Sequence, residues 1–100
     1  MINTKQELML MLNNNIDVIK SYGINKFGVF GSFRHDKATD KSDVDFLVNF
    51  IPEKKTYDNF FYLHEFLEEK TGRKIELVTI QSLSKYIGPH ILKDVEYVIH

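Results

Sequence analysis

Phe27-Gly28-Val29-Phe30-Gly31-Ser32 and, after nine intervening residues, Ser42-Asp43-Val44-Asp45-Phe46-Leu47-Val48-Asn49-Phe50 form the stretch that decides the fold. The apolar run over 26–30 reads as a short strand, and Gly31-Ser32 breaks it. Arg34-His35-Asp36-Lys37-Ala38-Thr39-Asp40-Lys41 has no apolar stripe and reads as a loop or one exposed helical turn. From Asp43 to Phe50 the pattern alternates. Side chains on a strand point to opposite faces in turn, so Val44, Phe46, Val48 and Phe50 share one face and Asp43, Asp45, Leu47 and Asn49 the other. Both carboxylates therefore project from the same side.

Upstream, residues 4–22 read as one helix. Thr4 and Glu7 have capping-box spacing, Leu8, Leu12, Ile16 and Ile19 recur at helical intervals, and Gly23 ends the run. Downstream, Pro52 and Glu53-Lys54-Lys55 mark a solvated turn, and Tyr57 to Thr71 reads as a second helix closed by Gly72. A strand over 74–79 follows, with Glu76 inside its apolar run. Ser82 opens a short helix ending at Gly88, and Pro89 starts a last helix through about Tyr97. The order helix, strand, loop, strand, helix, strand, helix predicts an α+β (mixed α/β) fold, a small sheet with helices packed mainly on one face. No repeat or linker interrupts residues 1–100, so one domain is expected.

Thirteen basic against fourteen acidic residues leave a net charge of −1, which gives no bulk field for nucleic acid or anionic membrane. No direct nucleic-acid binding is expected. Cysteine is absent, which excludes disulfides, thiolate catalysis and thiolate metal sites. The first residues lack the basic start and apolar core of a signal peptide, and no apolar run reaches membrane-spanning length. A cytoplasmic protein is the expectation.

Two aspartates at i and i+2 on a strand are close enough to share divalent metal ions through hard oxygen ligands, and Glu76 on a neighbouring strand would supply a third carboxylate. Gly31 lets backbone approach an anion, and Ser32 adds an N–H and a hydroxyl. Taken singly, an Asp-x-Asp pair is a common solvated strand face and a Gly-Ser pair an ordinary turn. In conjunction they point to magnesium and a nucleoside triphosphate, because magnesium usually pairs one or two protein carboxylates with substrate phosphates.

Gly31-Ser32 with Ser42-Asp43-Val44-Asp45-Phe46-Leu47-Val48 resembles the signature of the minimal nucleotidyltransferases of the DNA polymerase beta superfamily. Gly72-Arg73-Lys74-Ile75-Glu76-Leu77-Val78-Thr79 and Ile91-Leu92-Lys93-Asp94-Val95 are also similar to that family. The resemblance implies transfer of a nucleoside monophosphate from a triphosphate such as ATP to a hydroxyl, with pyrophosphate leaving and two Mg2+ ions assisting. It implies that Asp43 and Asp45 hold the metals. Glu76 would ligate the metal near the attacking hydroxyl or accept its proton, and Gly31 and Ser32 would hold the terminal phosphates. The chain departs from the family in its loop, where His35 then Asp36 replace the usual Arg then Gly and Arg34 stands one position early as the candidate phosphate contact. Small members of the family resemble antitoxins paired with an all-helical HEPN ribonuclease toxin, which implies a partner HEPN protein whose tyrosine receives AMP. Transfer to a small molecule such as an aminoglycoside, and a non-catalytic antitoxin acting by binding, are the alternatives.

Overall fold

The computed structural model describes residues 1–100. Five helices, α1 (Lys5–Asn14), α2 (Ile16–Ser21), α3 (Gly31–Arg34), α4 (Tyr57–Thr71) and α5 (Gly88–Asp94), alternate with four strands, β1 (Ile24–Phe30), β2 (Val44–Phe50), β3 (Ile75–Thr79) and β4 (Glu96–Ile99). The strands form one sheet in the order β3-β2-β1-β4. Strand β1 runs antiparallel to β2 and β4, while β2 and β3 are parallel, joined by α4 as such a crossover requires. The mixed α/β class read from the sequence is the class observed.

The alternation in β2 does what its period dictates. Val44, Phe46, Val48 and Phe50 are buried in one cluster with Phe27 and Val29 of β1, Leu8 and Leu12 of α1, Ile19 of α2, and Leu63 and Leu67 of α4. Phe27 stacks on Phe46 with ring centroids 4.9 Å apart. Leu47, on the opposite face, is also fully buried yet stands outside this cluster. The helices thus cover the apolar face and leave Asp45 on the other.

Three elements differ from the sequence reading. The expected helix over 4–22 is two helices. Asn15 ends the first, its backbone N–H donating to the Leu12 carbonyl (3.1 Å) and its side-chain amide to the Met11 carbonyl (2.7 Å), a local alternative that competes with helix continuation. The expected helix from Ser82 is instead a 3₁₀ turn over Ile80–Ser82, the Ser82 hydroxyl donating to the Thr79 carbonyl. The last helix stops at Asp94 rather than near Tyr97, because Val95 is extended and Glu96–Ile99 pair with β1. Gly28 makes room for that strand, since a Cβ there would lie 2.6 Å from Val95 Cγ2 and 2.8 Å from the Glu96 carbonyl oxygen.

Helix α4 holds the expected bounds. Gly72 caps it in the left-handed region (φ 66°), and the Thr56 hydroxyl accepts from the Asn59 N–H at its start. Thr56→Ala is expected to cost about 1 kcal/mol, read as a lower urea midpoint.

Candidate active site

The parallel register places Asp45 of β2 beside Glu76 of β3, and the antiparallel register places Asp45 beside Phe30, the last residue of β1. Just beyond Phe30 the chain turns at Gly31 (φ 75°) into the single turn of α3. This turn brings the Gly31 backbone against the Asp45 carboxylate, so that a Cβ on residue 31 would sit 2.2 Å from Asp45 Oδ2. Asp43, two residues before Asp45, lies just ahead of the first β2 residue. The Gly-Ser turn and the three carboxylates expected from the sequence thus lie at one end of β1, β2 and β3.

The electrostatics follow from the crowding. Asp45 is half-buried, and its carboxyl is pushed up from the ordinary 3.8 to about 6, first by loss of solvent and then by repulsion from Glu76 and Asp43. The chain's four ion pairs lie elsewhere, so no cationic side chain neutralises the trio. The trio also lines none of the four surface hollows. The site is an open ledge of negative charge beside a backbone turn.

Around α3, residues that drew no role from the sequence take the available donors. Asp94 Oδ2 accepts the Gly31 N–H (2.9 Å), its Oδ1 pairs with His35 Nε2, and its carbonyl accepts from Arg34 Nε (3.1 Å). Arg34 Nη1 also lies 3.5 Å from Glu96 Oε1, which accepts from Lys5 Nζ at 2.9 Å. The Gly31 N–H, His35 and Arg34 hold the Asp94 carboxyl below its ordinary range, while Lys5 and Arg34 do the same for Glu96. Asp36 Oδ1 accepts the Lys5 N–H at 2.9 Å, which ties this carboxylate to the start of α1. Both residues at which the loop departs from the family pattern are therefore engaged in fold contacts. The sequence signal for Asp94 was only its place in the Ile91–Val95 segment.

No three His, Asp or Glu side chains converge closely enough to cage an ion by themselves. The donor set nonetheless suits a hard divalent cation. Magnesium keeps waters and substrate phosphates as ligands and needs only one or two protein carboxylates. The unneutralised trio, with Asp45 pushed to about 6, is the arrangement such a cation would relieve.

Residues 13–100 match the family described as Polymerase beta, Nucleotidyltransferase. The protein adenylyltransferase MntA of Thermococcus cleftensis is 39% identical over 77 residues, which are 77% of this chain and 77% of the relative. A solved structure assigned as a minimal nucleotidyltransferase superposes with a TM-score of 0.83 at 24% identity, covering 93% of this chain and 94% of that one. A chain from the complex of tri-AMPylated Shewanella oneidensis HEPN toxin with MNT antitoxin superposes at 0.61 and 15% identity, covering 89% of this chain and 70% of that one. The two structural likenesses speak for the fold, and the span of 13–100 together with the Thermococcus relative speaks for descent. By that span and that identity, this chain belongs to the polymerase beta nucleotidyltransferase family.

Proposed function

We propose that the chain is a protein adenylyltransferase that moves AMP from ATP to a tyrosine hydroxyl of a HEPN-type toxin and so acts as its antitoxin. The observation that carries the reading is the Asp45 carboxylate, set against the Gly31 turn and crowded by Asp43 and Glu76 with no ion-pair partner. The adenylyltransferase named among its relatives and the likeness to a chain from a complex of an AMPylated HEPN toxin with its MNT antitoxin support the choice of acceptor.

Asp43 and Asp45 would hold divalent metal, with Glu76 as the third ligand or as the base for the incoming hydroxyl. When bound, the metal supplies Lewis-acid stabilisation of charge on the phosphates. The chain's own residues do the rest. Ser32 offers its N–H and hydroxyl at the turn for the terminal phosphates, Gly31 lets them approach although its own N–H is held by Asp94, and Arg34, bound to the Asp94 carbonyl and Glu96, adds positive charge at the edge. The acceptor oxygen bonds to the α-phosphorus as the α–β anhydride bond breaks, pyrophosphate leaves, and the hydroxyl proton passes to Glu76 or solvent. One minimal domain over 1–100 carries this site.

Incubating the chain with Mg2+, ATP and a candidate HEPN toxin should add one AMP mass per modified tyrosine. An unmodified toxin that the chain still neutralises, with Asp43→Ala combined with Asp45→Ala neutralising equally well, would overturn transfer in favour of binding alone.

A further inference from the structure

Arg73 is almost fully buried (7% exposed) and has no carboxylate partner. A buried guanidinium is costly unless its donors are all engaged. Here Nε donates to the Ile2 carbonyl (2.6 Å), Nη1 to the carbonyls of Thr39 (2.8 Å) and Ser42 (3.0 Å), and Nη2 to Asn3 Oδ1 (3.1 Å). Its Cζ also lies 4.9 Å from the centroid of the Phe33 ring in α3. One side chain thus touches the N-terminal arm, the helical turn after Gly31, and both ends of the 39–42 turn.

That last contact bears on the chemistry. Asp45 and Glu76 sit within paired strands, so the β2–β3 ladder fixes them. Asp43 lies ahead of the strand and is placed from either side. On one side the Val44 N–H donates to the Lys74 carbonyl (3.0 Å); on the other stands the 39–42 turn. This turn is closed by Ser42 N–H to Thr39 carbonyl (3.1 Å) and Thr39 N–H to Ser42 Oγ (2.8 Å), and its two carbonyls both end on Arg73 Nη1. We propose that Arg73 is a positioning residue for the carboxylate site, setting Asp43 relative to Asp45 by gripping the Thr39 and Ser42 carbonyls. The inference rests on the reading of Asp43 and Asp45 as metal ligands. A lysine keeps the charge but has no planar fork to bridge these partners.

The test compares wild type with Arg73→Lys, Arg73→Met, Asp43→Asn and the Arg73→Lys/Asp43→Asn double variant. Mn2+ binding is followed by the paramagnetic signal of the free ion, beside thermal midpoints, kcat, and KM for the metal. Arg73→Lys should weaken Mn2+ binding about tenfold, as loss of a group that orients metal ligands does. Measured well below its midpoint, it should raise KM for the metal, and Asp43→Asn should add little further loss in its background because Asp43 is already misplaced. A lowered midpoint with unchanged Mn2+ affinity, or fully additive losses, would show a purely structural role and overturn the inference. If Arg73→Met does not fold, Arg73→Lys decides alone. Wild-type Mn2+ binding that is indifferent to Asp43→Asn would instead overturn the metal-ligand reading beneath the inference, and so separates the two failures.

Discussion

Asp45→Asn is expected to abolish adenylyl transfer and, at the same time, to raise the thermal midpoint of the metal-free protein at neutral pH. The loss of activity follows from removing a charged oxygen donor at the centre of the trio, and about 10³-fold is the scale for losing several kcal/mol of transition-state stabilisation. The gain in stability follows from the same charge. The Asp45 carboxyl titrates near 6 in the fold against an ordinary 3.8, so between those values the native state holds more protons than the unfolded state. Stability therefore falls as pH rises through that window, and the penalty is complete above it. Asparagine keeps the shape and carries no charge. Two pKa units at about 1.4 kcal/mol each, halved for the solvent that still reaches this half-buried group, give a gain of about 1–2 kcal/mol at pH ~7.5. For a chain this size that is about 5 °C or more in midpoint, with almost no gain at pH ~3.5, below both values, where aspartate is mostly protonated in both states. Calorimetry at the two pH values checks it. A variant less stable than wild type at neutral pH would mean the Asp45 charge is compensated after all.

Gly31→Ala should lose activity out of proportion to stability. The left-handed backbone at φ 75° costs an alanine about 1–2 kcal/mol, and the new Cβ would stand 2.2 Å from Asp45 Oδ2. The clash can be relieved only by moving the Asp45 carboxylate or by moving α3, and either shifts the trio against the turn. A displacement near 1 Å is enough for about a 100-fold drop in rate. Gly23→Ala is the control. It too has positive φ (86°) and a Cβ clash at 2.2 Å, but with Lys54 Cβ, away from the carboxylates. Gly23→Ala should lower the urea midpoint and leave transfer per folded molecule near wild type. Equal activity losses in the two variants would show that strain alone, not the approach to Asp45, makes Gly31 sensitive.

The carboxylate face was legible because a period of two leaves little freedom. Once Val44, Phe46, Val48 and Phe50 must be buried, Asp43 and Asp45 have one side to occupy. Helix α4 was legible for a similar reason, with a long apolar stripe and Gly72 at its end. Strand β4 was not. Glu96-Tyr97-Val98-Ile99 is too short for a helical or extended period to decide, and its pairing with β1 rests on Gly28, far away in sequence. The break at Asn15 was hidden because its amide reaches Met11 without disturbing the apolar spacing on either side. The roles of Asp94 and Arg73 were hidden for a more general reason. Each acts through partners distant in the chain, Asp94 on Gly31 and Arg73 on Ile2, Thr39 and Ser42, and nothing local to either residue encodes those meetings.

The bond from the Gly31 N–H to Asp94 spans 63 positions, whereas Asp45 and Glu76 are about half as far apart and joined by a single crossover helix. The carboxylates therefore meet by closing the shorter loop, which costs less chain entropy, and the Gly31 N–H reaches Asp94 only once the chain beyond β3 has folded back onto β1. A folding chain would thus pair β2 with β3 at a lower entropic cost than it sets the Gly-Ser turn, and the geometry of that turn would wait for the last strand to join the sheet.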